Sequence, residues 1–140
     1  MTTGCFFEDL RIGQTDTLSK TITEEDVLMY SLVSLDTNPV HMDDEAARQS
    51  RFGGRIAHGM LSAGLISALL GTRLPGPGTI YLRQSMRFRA PVRIGDTVTA
   101  SVEITDLNLP RKSATLRTRC MVKETVVIDG EAIVLVPMRG

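Results

Sequence analysis

The spacing of apolar residues changes once along this chain, and that change constrains the fold more than any other feature. From Gly59 to Leu70 the apolar residues cover most of a helical circumference, interrupted only by serine, alanine and glycine. A helix that is apolar nearly all round is a buried helix, and we expect it to end at Gly71. After the turn-rich segment 75–78, apolar residues recur at every second position, which is typical of β-strands.

The second half of the chain therefore predicts consecutive strands joined by short turns. Apolar residues alternate with polar ones over 80–94, 98–104 and 114–122, and the last segment, 131–136, is apolar on both faces, as in a central strand. Alternating strands with short connections form antiparallel sheets. We predict an α+β fold in a single domain, residues 1–140, with a long antiparallel sheet wrapped around the buried helix.

The first half of the chain reads as helices and loops. Thr23 is suited to cap a helix whose first turn is acidic, where the helix dipole favours negative charge, and this helix should end before Asp36. Asp43 or Asp44 caps a second short helix through residues 45–48. A glycine-rich loop then leads into the buried helix.

The overall charge argues against two broad classes of partner. The 140 residues contain 16 Lys+Arg and 16 Asp+Glu, a formal net charge of zero. Nucleic-acid-binding surfaces normally leave a basic excess, and anionic membranes attract basic segments, so we predict neither as a partner. The most apolar stretch, 56–70, is too short and too rich in Gly, Ser and His to cross a bilayer.

The cysteines and the N-terminus favour a cytoplasmic protein. Cys5 and Cys120 form no disulfide-framework pattern, so reduced thiols are the simpler interpretation. Residues 1–8 lack the basic region and following apolar stretch of a secretory signal. The two cysteines and two histidines also show no metal-ligand spacing, and we predict no metal site.

Asp36 and His41 are the strongest candidates for chemistry. Five positions apart, their side chains would diverge on a regular helix or strand, but Pro39 forces the segment to bend. A bend there can direct a carboxylate and an imidazole at one point, where they suit the activation of a water molecule. Asn38 can hold the loop by bonding its backbone. The same residues also fit a helix-terminating turn with His41 on the surface.

His58 and Gly59 open the buried helix. Free N–H groups at a helix N-terminus stabilise an oxyanion, and Gly59 has no side chain to keep a substrate away. Gly59 fits a purely packing role as well. For His58 we favour a hydrogen-bonded structural role, because the activation of water does not require a second catalytic base.

Four arginines share the odd positions of the first predicted strand: Arg83, Arg87, Arg89 and Arg93. Such a basic stripe can meet the phosphates of a nucleotide-bearing ligand. It is also compatible with a solvated outer face whose charges are balanced by neighbouring acidic residues.

The segment Asp36-Thr37-Asn38-Pro39-Val40-His41, with Asp43 and His58-Gly59-Met60 downstream, carries a family resemblance. It resembles the MaoC-like (R)-specific enoyl-CoA hydratases, also called hydratase 2, of the hotdog fold. Weaker matches run through nearly the whole chain, at 7–14, 74–76, 80–85, 91–96 and 130–132. Leu35 departs from the family pattern, in which a small or acidic residue often precedes the aspartate.

The resemblance implies a hotdog fold, a homodimer with active sites near its interface, and reversible hydration of a trans-2-enoyl-CoA to an (R)-3-hydroxyacyl-CoA. By the resemblance, Asp36 and His41 hold and activate the water, and the backbone N–H of Gly59 stabilises the thioester oxygen. No cofactor is implied, because CoA is part of the acyl-CoA substrate.

Further residues are predicted to contact the substrate. They are Asn38 beside the pair, Ser67, Leu70 and Ile133 for an acyl pocket, and Arg83, Arg87 and Arg89 for the CoA phosphates. The moderate size of the acyl-pocket residues favours short to medium chains. Three alternatives stay open at this point: a 3-hydroxyacyl-[acyl-carrier-protein] dehydratase, a hotdog acyl-CoA thioesterase and a non-catalytic binding subunit.

Overall fold

A computed structural model describes residues 4–140 as one antiparallel sheet with a long helix against it. A short 3-10 helix at Phe7–Asp9 comes first. It is followed by β1 (Thr15–Thr21), α1 (Glu24–Ser34), α2 (Pro39–Met42), α3 (Asp44–Arg48), α4 (Gly59–Thr72), β2 (Ile80–Phe88), β3 (Thr97–Asn108), β4 (Ser113–Val122) and β5 (Thr125–Leu135). Within residues 4–140, no helix combines the length and apolarity needed to cross a membrane.

The five strands lie in the order β1-β3-β4-β5-β2, and every neighbouring pair is antiparallel. Strands β3, β4 and β5 are consecutive and interior, as the alternating pattern predicts. Strands β1 and β2 form the two edges. The predicted α+β class and its antiparallel sheet are confirmed.

Helix α4 forms the centre of the core, as its apolar circumference predicts. Ile66, Leu69 and Leu70 are at most 1% exposed, and they pack in one cluster with apolar residues of the sheet such as Ala132 and Val134. The prediction that Gly71 ends the helix is wrong, since α4 continues to Thr72. A glycine weakens a helix without breaking it, whereas a nearby proline stops it. Here the helix ends three residues before Pro75.

The N-terminal half contains one strand that the sequence interpretation missed. Strand β1 has a single apolar residue, Leu18, so it carries almost no alternation signal, and it forms by pairing with β3. The two predicted caps are confirmed. Thr23 and Asp26 form a reciprocal capping box on α1, and the Asp43 side chain accepts from two N–H groups of α3.

Strand β2 is shorter than the alternating segment 80–94 that predicts it, and its pairing is interrupted. It ends at Phe88, and a β-bulge between Tyr81 and Arg83 shifts its register against β5. The predicted four-arginine stripe is therefore only partly correct. Arg93 lies outside the strand, and its guanidinium donates to the Phe52 carbonyl oxygen at 2.6 Å.

Candidate active site

The chain bends between the end of α1 and the start of α2, and residues in and next to this bend stabilise it. Leu35 ends α1 in a left-handed conformation, with φ of 67°. The Asn38 side chain then caps α2 by accepting from the N–H of Val40 at 3.1 Å, and Pro39 occupies the first helical turn. The Asp36 carboxylate accepts from the N–H of Asn38 at 3.2 Å. These contacts confirm the predicted loop-holding role of Asn38.

His41 is buried, which rules out the alternative of a surface histidine. Its side chain is 8% exposed, and its Nδ1 lies 2.8 Å from the carbonyl oxygen of Ile56. Because a carbonyl can only accept, Nδ1 carries the proton, and the lone pair of the neutral ring is on Nε2. Arg55 holds helix α2, which contains His41, by donating from Nε to the His41 carbonyl oxygen at 2.7 Å.

The fold brings the side chains of Asp36, His41 and His58 into one cluster. One side-chain ligand atom of each of these three residues lies within 4.8 Å of the others. Two acceptors separated by up to that distance can both bind one water at about 2.8 Å from each. The arrangement thus suits a water held between the Asp36 carboxylate and the His41 imidazole. These residue types also ligate metals. Their clustering could not be predicted from the spacing of His and Cys alone, on which the prediction of no metal site was based.

His58 contacts both members of the pair. Its Nε2 lies 2.9 Å from the backbone carbonyl oxygen of Asp36, and its ring stacks on that of His41, with centroids 3.9 Å apart and planes at 29°. The predicted hydrogen-bonded role of His58 agrees with this geometry. Its partners lie 22 and 17 positions earlier in the chain, so no local spacing signals the contact.

Gly59 places the N-terminus of α4 next to this cluster. His58 is the N-cap residue of α4, and its side chain makes no capping hydrogen bond among the described residues. A Cβ built on Gly59 would lie 2.6 Å from Cε1 of Phe88, so any larger residue would have to displace that ring or the helix start. The close approach of Phe88 supports the packing role, and the free helix start is compatible with oxyanion binding.

A cavity of about 390 Å³ opens beside Gly59. Its walls are mainly apolar, and it is lined by Arg51, Phe52, Ile56, Ala57, Gly59, Ser62, Phe88, Arg89, Ala90, Pro91, Val92, Val127 and Ile128. The sequence interpretation missed Phe52 and Arg51 because they lie in an irregular loop with no periodic signal.

The three predicted acyl-pocket residues have different surroundings. Ser67 borders a mainly apolar groove of about 370 Å³ between α4 and β2, together with Met60 and Tyr81. Leu70 is 1% exposed and lies in the core.

The structure contradicts the placement of Ile133 with them. Ile133 pairs with Arg83 and Thr115, while its neighbours Ala132 and Val134 are fully buried in the core shared with α4. Side chains alternate along a strand, so Ile133 points to the outer face, away from α4. The double apolar pattern of this strand concealed which positions face the helix.

The three remaining predicted arginines lie near the β2 edge without forming one continuous site. Arg87 and Arg89 border a depression of about 450 Å³ on the outer sheet face, beside Arg117 and Asp129. Arg89 pairs with Asp129 at 2.7 Å, and it also lines the cavity beside Gly59. Arg83 instead borders the groove that contains Ser67. The sequence interpretation missed Arg117 because it lies on another strand.

An antiparallel sheet with a buried helix against it is the architecture of the hotdog fold, and the carboxylate–imidazole pair at the helix N-terminus is the arrangement that the resemblance to the hydratases implies. Residues 11–129 match the model of the MaoC like domain family, and the chain belongs to that family. The resemblance found in the motifs is confirmed.

Individual relatives agree with this assignment. The chain is 57% identical to an "(R)-specific enoyl-CoA hydratase" of Rhodospirillum rubrum, over 96% of this chain and 94% of that protein. It is 50% identical to a "3-hydroxybutyryl-CoA dehydratase" of Methylorubrum extorquens, over 96% and 85%. Among solved structures, the unliganded R-hydratase PhaJ1 of Pseudomonas aeruginosa superposes with a TM-score of 0.91 at 41% identity, covering 97% of this chain and 88% of that one.

Proposed function

We propose that this protein is an (R)-specific enoyl-CoA hydratase, a hydro-lyase that reversibly adds water to a trans-2-enoyl-CoA. The observation that carries the proposal is the convergence of the Asp36 carboxylate and the His41 imidazole at the start of α4. The Rhodospirillum rubrum relative, which bears that name, matches nearly the whole chain.

The geometry supports a mechanism in which one water bridges the pair. The Asp36 carboxylate accepts a hydrogen bond from this water, and the His41 Nε2 lone pair removes its other proton. The water oxygen attacks the β-carbon, and negative charge develops on the thioester oxygen, where the Gly59 N–H donates to it. The proton on His41 Nε2 then passes to the α-carbon on the same face. These steps give a syn addition and restore the neutral imidazole.

The surroundings of the site suit a ligand that is apolar at one end and anionic at the other. The cavity beside Gly59 is mainly apolar, and Arg51 and Arg89 line it. Arg89 also borders the outer depression with Arg87, where CoA phosphates would find guanidinium donors. For the acyl chain we retain Ser67, which borders the apolar groove between α4 and β2, and Leu70, which is buried in the core and would have to be uncovered by that chain. Their moderate size favours short to medium lengths.

We also propose a homodimer formed through strand β2. This edge strand has no partner on its outer side within the described chain, and it exposes Ile80, Leu82 and Phe88 by more than half. Exposed apolar strand edges are normally covered, and a second copy of β2 would continue the sheet. Light scattering coupled to size-exclusion chromatography should give twice the chain mass of 15.3 kDa. A monomer at micromolar concentration would contradict the proposal.

A cytoplasmic location and the absence of a resident cofactor complete the proposal. Cys5 and Cys120 are both free thiols, as expected in a reducing compartment. Burial raises the pKa of the Cys120 thiol to about 12, so it stays protonated and is not a nucleophile. The water-addition mechanism uses only side-chain and backbone groups of the chain and needs no bound metal.

The decisive experiment is incubation with crotonyl-CoA followed by chiral analysis of the product. We expect (R)-3-hydroxybutyryl-CoA, with product formation at least about 10²-fold slower in a matched Asp36→Asn variant. An (S)-product would contradict the family mechanism. Release of free thiol without hydration would instead establish the thioesterase alternative, and a strong preference for carrier-linked crotonate would establish the acyl-carrier-protein dehydratase.

A further inference from the structure

We infer that His58 is a positioning residue for the hydration reaction. His58 holds the Asp36 backbone by one hydrogen bond and supports the His41 ring by stacking. The inference rests on the proposed function and goes beyond the structural role that the sequence favours. It assigns to His58 two separable contributions to one reaction.

The hydrogen bond fixes both the loop and the tautomer of His58. Its Nε2 lies 2.9 Å from the backbone carbonyl oxygen of Asp36, which can only accept, so Nε2 carries a proton. Its Nδ1 is buried and has no hydrogen-bond partner within residues 4–140. The neutral Nε2–H tautomer therefore matches these surroundings, because a second proton on Nδ1 would be a buried donor without an acceptor.

The ring of His58 is held on two sides. Tyr30 from α1 packs against one side, with ring centroids 4.7 Å apart, and His41 stacks on His58 at 3.9 Å. His58 is only 2% exposed. The ring thus links α1, α2 and the start of α4, the three elements that surround the proposed water site.

This placement predicts an effect on turnover rather than on substrate affinity. The other hydrogen bonds of Asp36 are local: its N–H donates to Ser34 Oγ at 3.1 Å, and its carboxylate accepts from the Asn38 N–H at 3.2 Å. The His58 contact is the one that ties the exposed Asp36 to the distant helix α4. Without the His58 hydrogen bond, the carboxylate would spend less time at the distance from His41 that one water can bridge. Displacements of about 1 Å at such sites cost on the order of 10²-fold in rate.

Two substitutions separate the hydrogen bond from the stacking. His58→Gln keeps an N–H donor near the Nε2 position, and His58→Phe keeps an aromatic ring without a donor. We expect kcat with crotonyl-CoA to fall about 10-fold in His58→Gln and about 10²-fold in His58→Phe, with KM within about threefold in both.

Val27→Ala is the matched control for lost packing. Val27 is fully buried on α1 and belongs to the core. We expect this variant to lower the melting temperature while leaving kcat of the folded enzyme within about twofold of the wild type. Equal losses of kcat in His58→Gln and His58→Phe, or a wild-type kcat in His58→Phe, would overturn the proposed hydrogen-bond role.

Nitrogen-15 NMR of the wild-type protein tests the same claim without turnover. We expect the His58 signals to show a protonated Nε2 and an unprotonated Nδ1, and the opposite tautomer would overturn the inference. This measurement remains decisive if the Phe variant does not fold. It is also independent of the proposed function, which fails instead if wild-type protein does not hydrate crotonyl-CoA.

Discussion

The segment that carries Asp36 and His41 and the arginine-bearing end of β2 are held in place in different ways. His41 is buried, and backbone carbonyls and N–H groups hold it, Asp36 and His58 in place. Arg87 and Arg89 are exposed, and within residues 4–140 their one ion pair with an acidic residue is the contact from Arg89 to Asp129. Backbone partners fix a side chain's position far better than solvent-screened charges do. The first region should therefore control the rate of reaction, and the second should modulate affinity.

The largest effect should follow from disabling the pair itself. Asp36→Asn removes the charge that orients the water, and His41→Ala removes the base, so each should reduce kcat by at least about 10²-fold. Initial rates with crotonyl-CoA measure this loss, and circular dichroism verifies the fold. Near-normal turnover in either variant would mean that the hydration chemistry is carried by other residues.

A smaller loss is expected from crowding the start of α4. In Gly59→Ala the new methyl group meets the Phe88 ring at 2.6 Å and displaces either the ring or the helix start, and we expect kcat to fall about 10-fold. The double variant Gly59→Ala/Phe88→Ala removes the clash and should recover most of that loss. If the double variant is no better than Gly59→Ala, while Phe88→Ala alone is active, then contact with Phe88 is not the cause.

The arginine region should give a modest and salt-dependent effect. Arg87→Ala and Arg89→Ala should raise KM for crotonyl-CoA about threefold at low ionic strength, with kcat unchanged. The rise in KM should shrink as salt is added, because exposed charges are screened within about 10 Å at 0.1 M salt. Crotonyl-pantetheine, which lacks the nucleotide, should show no such change. Arg111→Ala, in the exposed loop between β3 and β4, is the control. Equal effects on both substrates would remove the phosphate assignment.

The smallest expected effect is that of metal removal. Dialysis against EDTA should leave kcat unchanged, since the proposed mechanism uses no metal. The opposite result would be a loss of activity on dialysis, recovery of that activity when zinc is added, and no such recovery in His58→Gln. That result would show that Asp36, His41 and His58 form a metal centre.

Much of the fold could be predicted from local patterns. The buried helix, the three interior strands and the caps at Thr23 and Asp43 each have a signal within a few residues, because periodicity and capping are short-range effects. The two errors in the edge strands have a common origin. Strand β1 has no alternation, and the bulge and early end of β2 removed Arg93 from the stripe, because pairing between distant strands decides both features.

Within the candidate site, sequence spacing and the Pro39 bend were sufficient to identify Asp36 and His41 as candidates, and the predicted start of the buried helix identified Gly59. These signals were insufficient for Ile133, where a strand apolar on both faces conceals which positions meet the helix. They also gave no indication of Phe52, which lines the cavity beside Gly59, or of Arg117, which borders the depression on the outer sheet face.

The sequence by itself determined the α+β class, the buried helix and the bend that carries the carboxylate and the imidazole. These follow from the preferences of neighbouring residues. Only the tertiary structure decided that His58 contacts Asp36 across 22 positions and that Phe88 covers Gly59. Such contacts depend on how helix α4 packs against the sheet, and the packing of the whole core determines that arrangement.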